Sequence, residues 1–322
     1  MVFSMHSIIN RRSVLFVTAA ILLAVASIQS HAQPLLQPGK RVVFIGDSIT
    51  QHGEYVDWVE SWLLTHHPKN HYNILRVGLS AETASGLSEA AAKSPRPDVN
   101  ERLQRVLQAL EPELLFVCYG MNDGLYRPLS DGRFAAFRQG IESVIQQAKQ
   151  TGCKVVLLTP PPFDAKAPNM IERVIEGPDA AYSYRTPHAG YDHVLHTYAQ
   201  WELTLADQVD AIINLHGPMN ASINQQRAQN PDFYLSKDGV HPGSEGHALM
   251  GRLVITGLGF DRPERDPKPQ IFTLVRERNQ LLSRAWVENI GHLKPNKLKA
   301  LPLQEAKTKA EAITKTIDRI AR

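Results

Sequence analysis

The sequence predicts an α/β fold: a three-layer α/β/α sandwich around a five-stranded parallel sheet, with a helical extension at its C-terminal end. Three observations carry this expectation. Five short apolar runs, rich in β-branched residues, are continuous rather than alternating, which suits strands covered on both faces. Segments of helical spacing separate these runs, giving the β-then-α rhythm of parallel sheets with right-handed crossovers. After a Pro-rich break, two further helical segments follow.

The elements are expected in the following order. A strand at Arg41–Ile45 leads to a helix with the apolar stripe Tyr55, Val59, Trp62 and Leu63. A strand at Tyr72–Val77 is followed by the stripe Leu103, Val106, Leu107 and Leu110. The third strand, Leu114–Cys118, precedes a helix built on Phe134, Phe137, Ile141, Val144, Ile145 and Ala148. Ser130 or Asp131 can cap its start, and Gly152 stands just beyond its end. The fourth strand, Lys154–Leu158, stops at Pro160-Pro161-Pro162, and an irregular stretch runs to about Ala189. That loop leaves the carboxyl end of a strand, where ligands bind in open α/β sheets. Val194, Tyr198, Trp201 and Leu205 mark the next helix, then come a strand at Ala211–Leu215 and a helix-like Ser244–Val254. These elements make one domain over residues 40–260. Residues 261–322 form a linker and a helical extension, with helices at Ile271–Ile290 and Leu303–Ile320. Phe272, Leu281, Leu282 and Trp286 are the side chains expected to dock it on the main domain.

The first residues read differently. Arg11-Arg12 precede an apolar run from Val14 to Ile28, then the small-x-small pattern Ser30-His31-Ala32. Residues 1–32 are therefore expected to be a signal peptide cut near Ala32, with an uncleaved anchor as the competing reading. The mature chain is expected to be exported, periplasmic or extracellular, with no membrane span. A net charge of +3 over 322 residues is too mild to argue for nucleic acid. Two cysteines cannot make a disulfide framework. Cys118 ends one predicted strand and Cys153 precedes the next, so they fall at opposite ends of a sheet rising about 3.3 Å per residue and stay free thiols. Among 13 histidines, His66, His67 and His71 cluster, but no Cys or carboxylate stands at ligand spacing. There is no H-E-x-x-H, phosphate loop or dinucleotide fingerprint, so neither metal nor cofactor is expected.

Four short blocks carry the chemistry. Gly46-Asp47-Ser48 follows the first strand, where a sharp turn either only connects or holds out a hydroxyl. Gly78-Leu79-Ser80-Ala81-Glu82-Thr83 follows the second, where small residues let backbone N–H groups approach a reacting atom. Gly120-Met121-Asn122-Asp123 follows the third and sets a side-chain amide at the sheet's carboxyl edge. Asp238-Gly239-Val240-His241 precedes the last core helix, where the aspartate can hold one ring nitrogen and leave the other facing outward. Each is weak alone; in this fold class all four meet along one rim.

In order and spacing the four blocks resemble the SGNH (GDSL-type) hydrolase superfamily, from about Lys40 to Gly257. The resemblance implies its flavodoxin-like fold and ester hydrolysis. Residue by residue, Ser48 matches the nucleophile, Asp238 and His241 its triad partners, and Asn122 the side-chain donor of the oxyanion hole. The Ser48 backbone N–H is a second donor. The family's second block supplies a third from a glycine, and here Ala81 stands in that place. Gly78 is the block's first, structural glycine. An unperturbed His241 implies activity that falls as pH drops through about 6.5.

The implied substrate is a small-molecule or polysaccharide ester. No apolar helical lid is evident, and the loop from Phe163 to Ala189 is polar and tyrosine-bearing. A short-chain ester, acetyl on a sugar above all, is the expected substrate, with Asp47, Tyr182 and Tyr184 as candidate contacts. Tyr182, Tyr184 and Tyr191 can stack on sugar faces or simply pack the loop down. A lysophospholipase- or arylesterase-like acyl hydrolase would use the same residues, and a non-catalytic glycan-binding protein would be expected to lack an intact triad.

Overall fold

A computed structural model describes residues 35–89, 94–178, 180–295 and 297–321. The expected signal peptide, residues 1–32, lies outside the described residues. Five strands, β1 (Arg41–Gly46), β2 (Asn73–Arg76), β3 (Leu114–Cys118), β4 (Lys154–Leu158) and β5 (Ala211–Ile213), pair in parallel in the order β2-β1-β3-β4-β5. Burial on both faces explains their continuous apolar character: every residue of β3 is buried. β5 is shorter than expected. Thr159 Oγ1 accepts from Leu215 N at 2.8 Å and His216 N at 3.1 Å, which draws the chain out of the sheet into the next helix.

The helices are α1 (Ser48–His52), α2 (Glu54–His66), α3 (Val99–Leu110), α4 (Asp131–Gln150), α5 (Tyr191–Leu203), α6 (His216–Arg227), α7 (Ser244–Gly257), α8 (Pro269–Ile290) and α9 (Leu303–Ala321). The strand order and right-handed crossovers assign the layers. From β1 the chain steps to β2 on one side, but from β2 onward it steps the other way. α2 therefore covers one face, and α3, α4 and α5 the other. α7 returns to the α2 face and packs on α2 and β5. Phe137 of α4 stacks on Tyr198 of α5 at 4.4 Å, which joins two helices of the opposite layer. Cys118 and Cys153 are buried free thiols.

α8 packs on α2, on α3 and along edge strand β2, and α9 packs on α8. A covered edge strand cannot template pairing with another chain. Phe272 and Trp286 are partly buried against the main core, as expected. Ile271 and Val275, with Leu64 of α2 and Ile317 of α9, form a second apolar cluster. The deeper attachment is polar and was not legible beforehand. Asn279 Nδ2 donates to Asp57 Oδ1 and Glu60 Oε2, both at 2.9 Å. Arg278 pairs with Glu60, and Arg276 with Glu54 at 3.0 Å. Leu281 and Leu282, also expected to dock, are partly buried but belong to neither apolar cluster. Among the described residues, no helix is long and apolar enough to cross a membrane.

Candidate active site

The strand order reverses between β1 and β3, and crevices for ligands open at such switch points, beyond the carboxyl ends of the strands. All four sequence blocks meet there. Asp47 caps α1 through Oδ1, which accepts from Ile49 N at 2.9 Å, and Ser48 opens the helix. The approach needs Gly78: a Cβ there would lie 2.2 Å from Gln51 N and 2.5 Å from the Thr50 carbonyl carbon, both backbone atoms.

Ser48 Oγ lies 2.8 Å from His241 Nε2, and His241 Nδ1 lies 2.8 Å from Asp238 Oδ2. The turn holding this pair is internally bonded. Asp238 Oδ1 accepts from His241 N at 2.8 Å, and from Val240 N and Ser236 Oγ at 3.0 Å. Gly239 adopts φ +77° within it, and a Cβ there would meet Asp164 O at 2.6 Å. The loop after β4 braces the same turn: Asp164 N donates to Gly239 O, and Asn169 N to Lys237 O, both at 2.9 Å. Burial pushes the Asp238 carboxyl up, but the His241 and backbone hydrogen bonds together hold it well below the usual carboxylate range. The hydrogen bond that His241 donates to Asp238 raises the imidazole above the ordinary histidine value, against a smaller opposing effect of burial.

The second and third blocks sit beside Ser48. Glu82 N donates to Leu79 O at 3.1 Å, closing a turn in which Ala81 has φ +66°. Glycine usually occupies that place because a Cβ disfavours left-handed backbone. Alanine has therefore kept the left-handed conformation rather than abandoned it. Among the described residues, the Ser48 and Ala81 N–H groups have no hydrogen-bond partner. Asp123 ties the two loops together, accepting from Ala84 N and Ser85 N at 2.8 Å and from Gly120 N at 3.0 Å.

Asn122 is oriented by two residues that carried no sequence signal. Its Oδ1 accepts from Arg96 Nη1 at 2.9 Å and from Tyr126 OH at 3.2 Å. Arginine only donates, so the amide oxygen must face it, and Nδ2 must face the other way. There Nδ2 lies 3.2 Å from Glu82 O and 3.5 Å from Asp47 Oδ2. Arg96 is itself clamped by Glu89, at 2.7 and 3.0 Å. Arg96 lies in the Ser94-Pro95-Arg96-Pro97 stretch, which matches no motif; only the folded loop brings it to Asn122.

Two of the candidate substrate contacts are placed otherwise than expected. Asp47 is only 3% exposed, caps α1 and lines neither cleft beside Ser48, so its place is beneath the site. Burial in that position raises its pKa to about 7. Tyr182 is buried and donates to Gly177 O at 2.6 Å, which packs its loop down, although it still borders the large cleft. Tyr191, also weighed for stacking, is fully buried and bonds Met121 O at 2.9 Å. Tyr184 alone of the three offers its ring to solvent, at 50% exposure, with Arg185 over its face. The large cleft, about 1190 Å³, joins Tyr184 and Arg185 to Ser48, Ala81, Asn122 and His241. No group of His, Cys, Asp and Glu suited to a metal occurs among the described residues.

An open parallel α/β sheet with a Ser–His–Asp chain and unpaired N–H groups at its switch point is the architecture of an acyl-transfer hydrolase. The sequence profile of the GDSL-like Lipase/Acylhydrolase family matches residues 44–249, and the chain belongs to that family. A search of curated proteins finds no match. Among solved structures, a catalytic mutant of Axe2, an acetylxylan esterase from Geobacillus stearothermophilus, is similar with a TM-score of 0.52 at 18% identity, over 71% of this chain and 99% of that one. The acetyl xylan esterase AlAXEase is similar with a TM-score of 0.50 at 21% identity, over 67% and 98%. BT4096, a gut microbial diltiazem-metabolizing enzyme, gives 0.53 at 21% identity over 70% of this chain, which spans about half of that protein, 48%. At these identities the similarity is one of fold.

Proposed function

We propose that this protein is an exported serine esterase that removes short acyl groups, acetyl above all, from carbohydrates through an acyl-enzyme. The observation that carries the reading is the continuous chain from Ser48 Oγ to His241 to Asp238, with both links at 2.8 Å. His241 Nε2 takes the Ser48 proton as Oγ attacks the ester carbonyl, and Asp238 holds the imidazole tautomer and balances the imidazolium. The carbonyl oxygen becomes an oxyanion held by the Ser48 and Ala81 N–H groups and the Asn122 amide, each such donor being worth about 2.7–4 kcal/mol in the transition state. His241 then protonates the departing alcohol oxygen. Water, deprotonated by the same imidazole, attacks the acyl-serine and releases the carboxylic acid and free Ser48.

The carbohydrate part of the reading is supported by the roomy cleft that joins Ser48 to the exposed Tyr184 ring and by the fold neighbours that are acetylxylan esterases. The test compares p-nitrophenyl esters of increasing chain length with acetate release from acetylated xylo-oligosaccharides, for wild type and Ser48→Ala. Acetyl preference, acetate release and complete loss in a folded Ser48→Ala protein are expected. Preference for long acyl chains would instead favour a lysophospholipase-like hydrolase, and retained turnover in Ser48→Ala would remove Ser48 as nucleophile.

A further inference from the structure

The family profile ends at residue 249, yet a helix beyond it lines a cleft that Ser48 also lines. A second cleft, about 460 Å³, shares Ser48, Ser80 and His241 with the large one and is closed by α8. Ile49 and Pro242 form its apolar lining, His52 stands on one wall, and Gln280, Ser283 and Arg284 stand on the other. The spacing i, i+3, i+4 puts those three side chains on one face of α8.

That wall is fixed in place. Asn279, next to Gln280, is bonded to Asp57 and Glu60 of α2 at 2.9 Å. Asp57 in turn pairs with Arg76, which donates to Gln51 O in α1, the helix that begins at Ser48. Just past α8, Lys294 Nζ donates to Ser80 O at 3.1 Å, beside Ala81. The extension therefore grips both loops that frame the site.

The chemistry of the lining selects a ligand. An acetyl group fills a small fraction of either cleft, so both have room for the alcohol part. No carboxylate lines the α8 cleft, and its one guanidinium without an ion pair among the described residues is Arg284. Burial lowers the pKa of both His52 and His247, leaving neutral imidazoles that donate and accept. Amide, hydroxyl, imidazole and one guanidinium without an ion pair, beside apolar Ile49 and Pro242, match the hydroxyl-rich edges and apolar faces of a sugar ring.

We propose that α8 builds a second saccharide subsite, in which Gln280 and Arg284 hold a sugar unit adjoining the acylated one while the glycan continues through the large cleft toward Tyr184. This rests on the carbohydrate-ester reading above. It makes the extension a determinant of substrate length, so that oligosaccharides reaching both clefts are better substrates than a lone acetylated sugar.

Gln280→Ala/Arg284→Ala alters two side chains outside the core and tests the subsite in two ways. Turnover of p-nitrophenyl acetate is expected to stay within about twofold of wild type, while kcat/KM on acetylated xylo-oligosaccharides falls about tenfold, the effect of losing one charge-assisted hydrogen bond. Equal losses on both substrates would make the role of α8 structural, and no loss on either would remove the subsite; both overturn the proposal. Calorimetry in a Ser48→Ala background reads binding without chemistry. Xylo-, manno- and galacturono-oligosaccharides form the panel, and the double variant is expected to weaken the best ligand about tenfold. No binding across the panel, or binding insensitive to the two substitutions, overturns the subsite. Binding that depends on Gln280 and Arg284 in a protein whose wild type releases no acetate supports the subsite and overturns the esterase reading instead.

Discussion

Arg96 Nη1 donates to Asn122 Oδ1 at 2.9 Å, and this bond fixes which way the Asn122 amide is turned. Arg96 is a positioning residue: it touches the amide oxygen, while the amide nitrogen faces Glu82 O and Asp47. Arg96→Met is expected to lower kcat on p-nitrophenyl acetate by about ten- to a hundredfold, as a charge-assisted bond is lost and the amide is free to turn. KM should change little, because the donor matters most once the oxyanion has formed. Arg96→Lys should recover part of the loss. A rise in KM at constant kcat would assign Arg96 to ground-state binding instead.

The Asp238 hydrogen bond raises His241, and that moves the acid limb of the pH profile. In the proposed mechanism only the neutral imidazole accepts the Ser48 proton. A raised pKa keeps His241 protonated to higher pH, so kcat/KM should fall with an inflection above the ordinary value of about 6.5. An unperturbed histidine, as expected from the sequence, would put the inflection at about 6.5 instead, so the profile separates the two expectations. Asp238→Asn should shift what activity remains to a lower inflection, read from kcat/KM between pH 4 and 9.

Asp47 gives a separate pH signature in stability. Burial raises its pKa from 3.8 to about 7, so the folded state favours the protonated carboxyl. Its contribution is present below the unfolded pKa and is lost as pH rises through about 7. Asp47→Asn keeps an oxygen to cap α1 and carries no charge at any pH. Relative to wild type, the variant should therefore gain stability between pH 4 and pH 8 in urea unfolding. A constant difference across that range would mean Asp47 stays ionised.

Much of this site was legible in the sequence because its groups are local. Asp238 and His241 are bonded across three residues, and Ser48 stands two residues past the glycine that ends β1. The five strands were legible for a related reason: burial on both faces leaves a continuous apolar run. Arg96 and Asn279 were hidden because their partners lie far along the chain, 26 residues away for Asn122 and 222 for Asp57. A buried polar side chain adds nothing to an apolar stripe, so Asn279 carried no signal. Asp47 misled for the opposite reason. Its neighbour Ser48 opens to the cleft, and adjacency in sequence suggested a shared exposure that the helix cap removes.

Ala81 carries a cost that can be measured. Its φ of +66° is disfavoured for alanine by about 1–2 kcal/mol, whereas glycine adopts it freely. Glycine also loosens the unfolded chain, which offsets about 0.4–1 kcal/mol. Ala81→Gly should therefore leave stability equal or improve it by up to about 1.6 kcal/mol in urea unfolding. The backbone N–H is retained, so turnover of p-nitrophenyl acetate should persist. A loss of stability would mean the alanine methyl packs favourably enough to outweigh its backbone strain.

Asn279 provides the clearest test of how far the extension is part of the fold. Its Nδ2 serves two carboxylates, Asp57 and Glu60, both buried. Asn279→Leu fills similar space but leaves each carboxylate one donor short. The buried carboxylates are not thereby orphaned, since Arg76 still faces Asp57 and Arg278 still faces Glu60. The expected loss is thus that of a buried hydrogen-bonding group, about 1–3 kcal/mol, rather than that of a broken ion pair. Asp57 adds a pH dependence. Burial already raises its pKa to about 6, and removing the Asn279 donor, which lowers it, should raise it further. The wild type loses the stabilising preference for protonated Asp57 as pH rises through about 6, and the variant should lose more over the same range. The destabilisation by Asn279→Leu should therefore be larger at pH 8 than at pH 5. Unfolding at the same urea concentration as wild type at both pH values would show that apolar packing alone, through Ile271 and Val275, holds α8 in place.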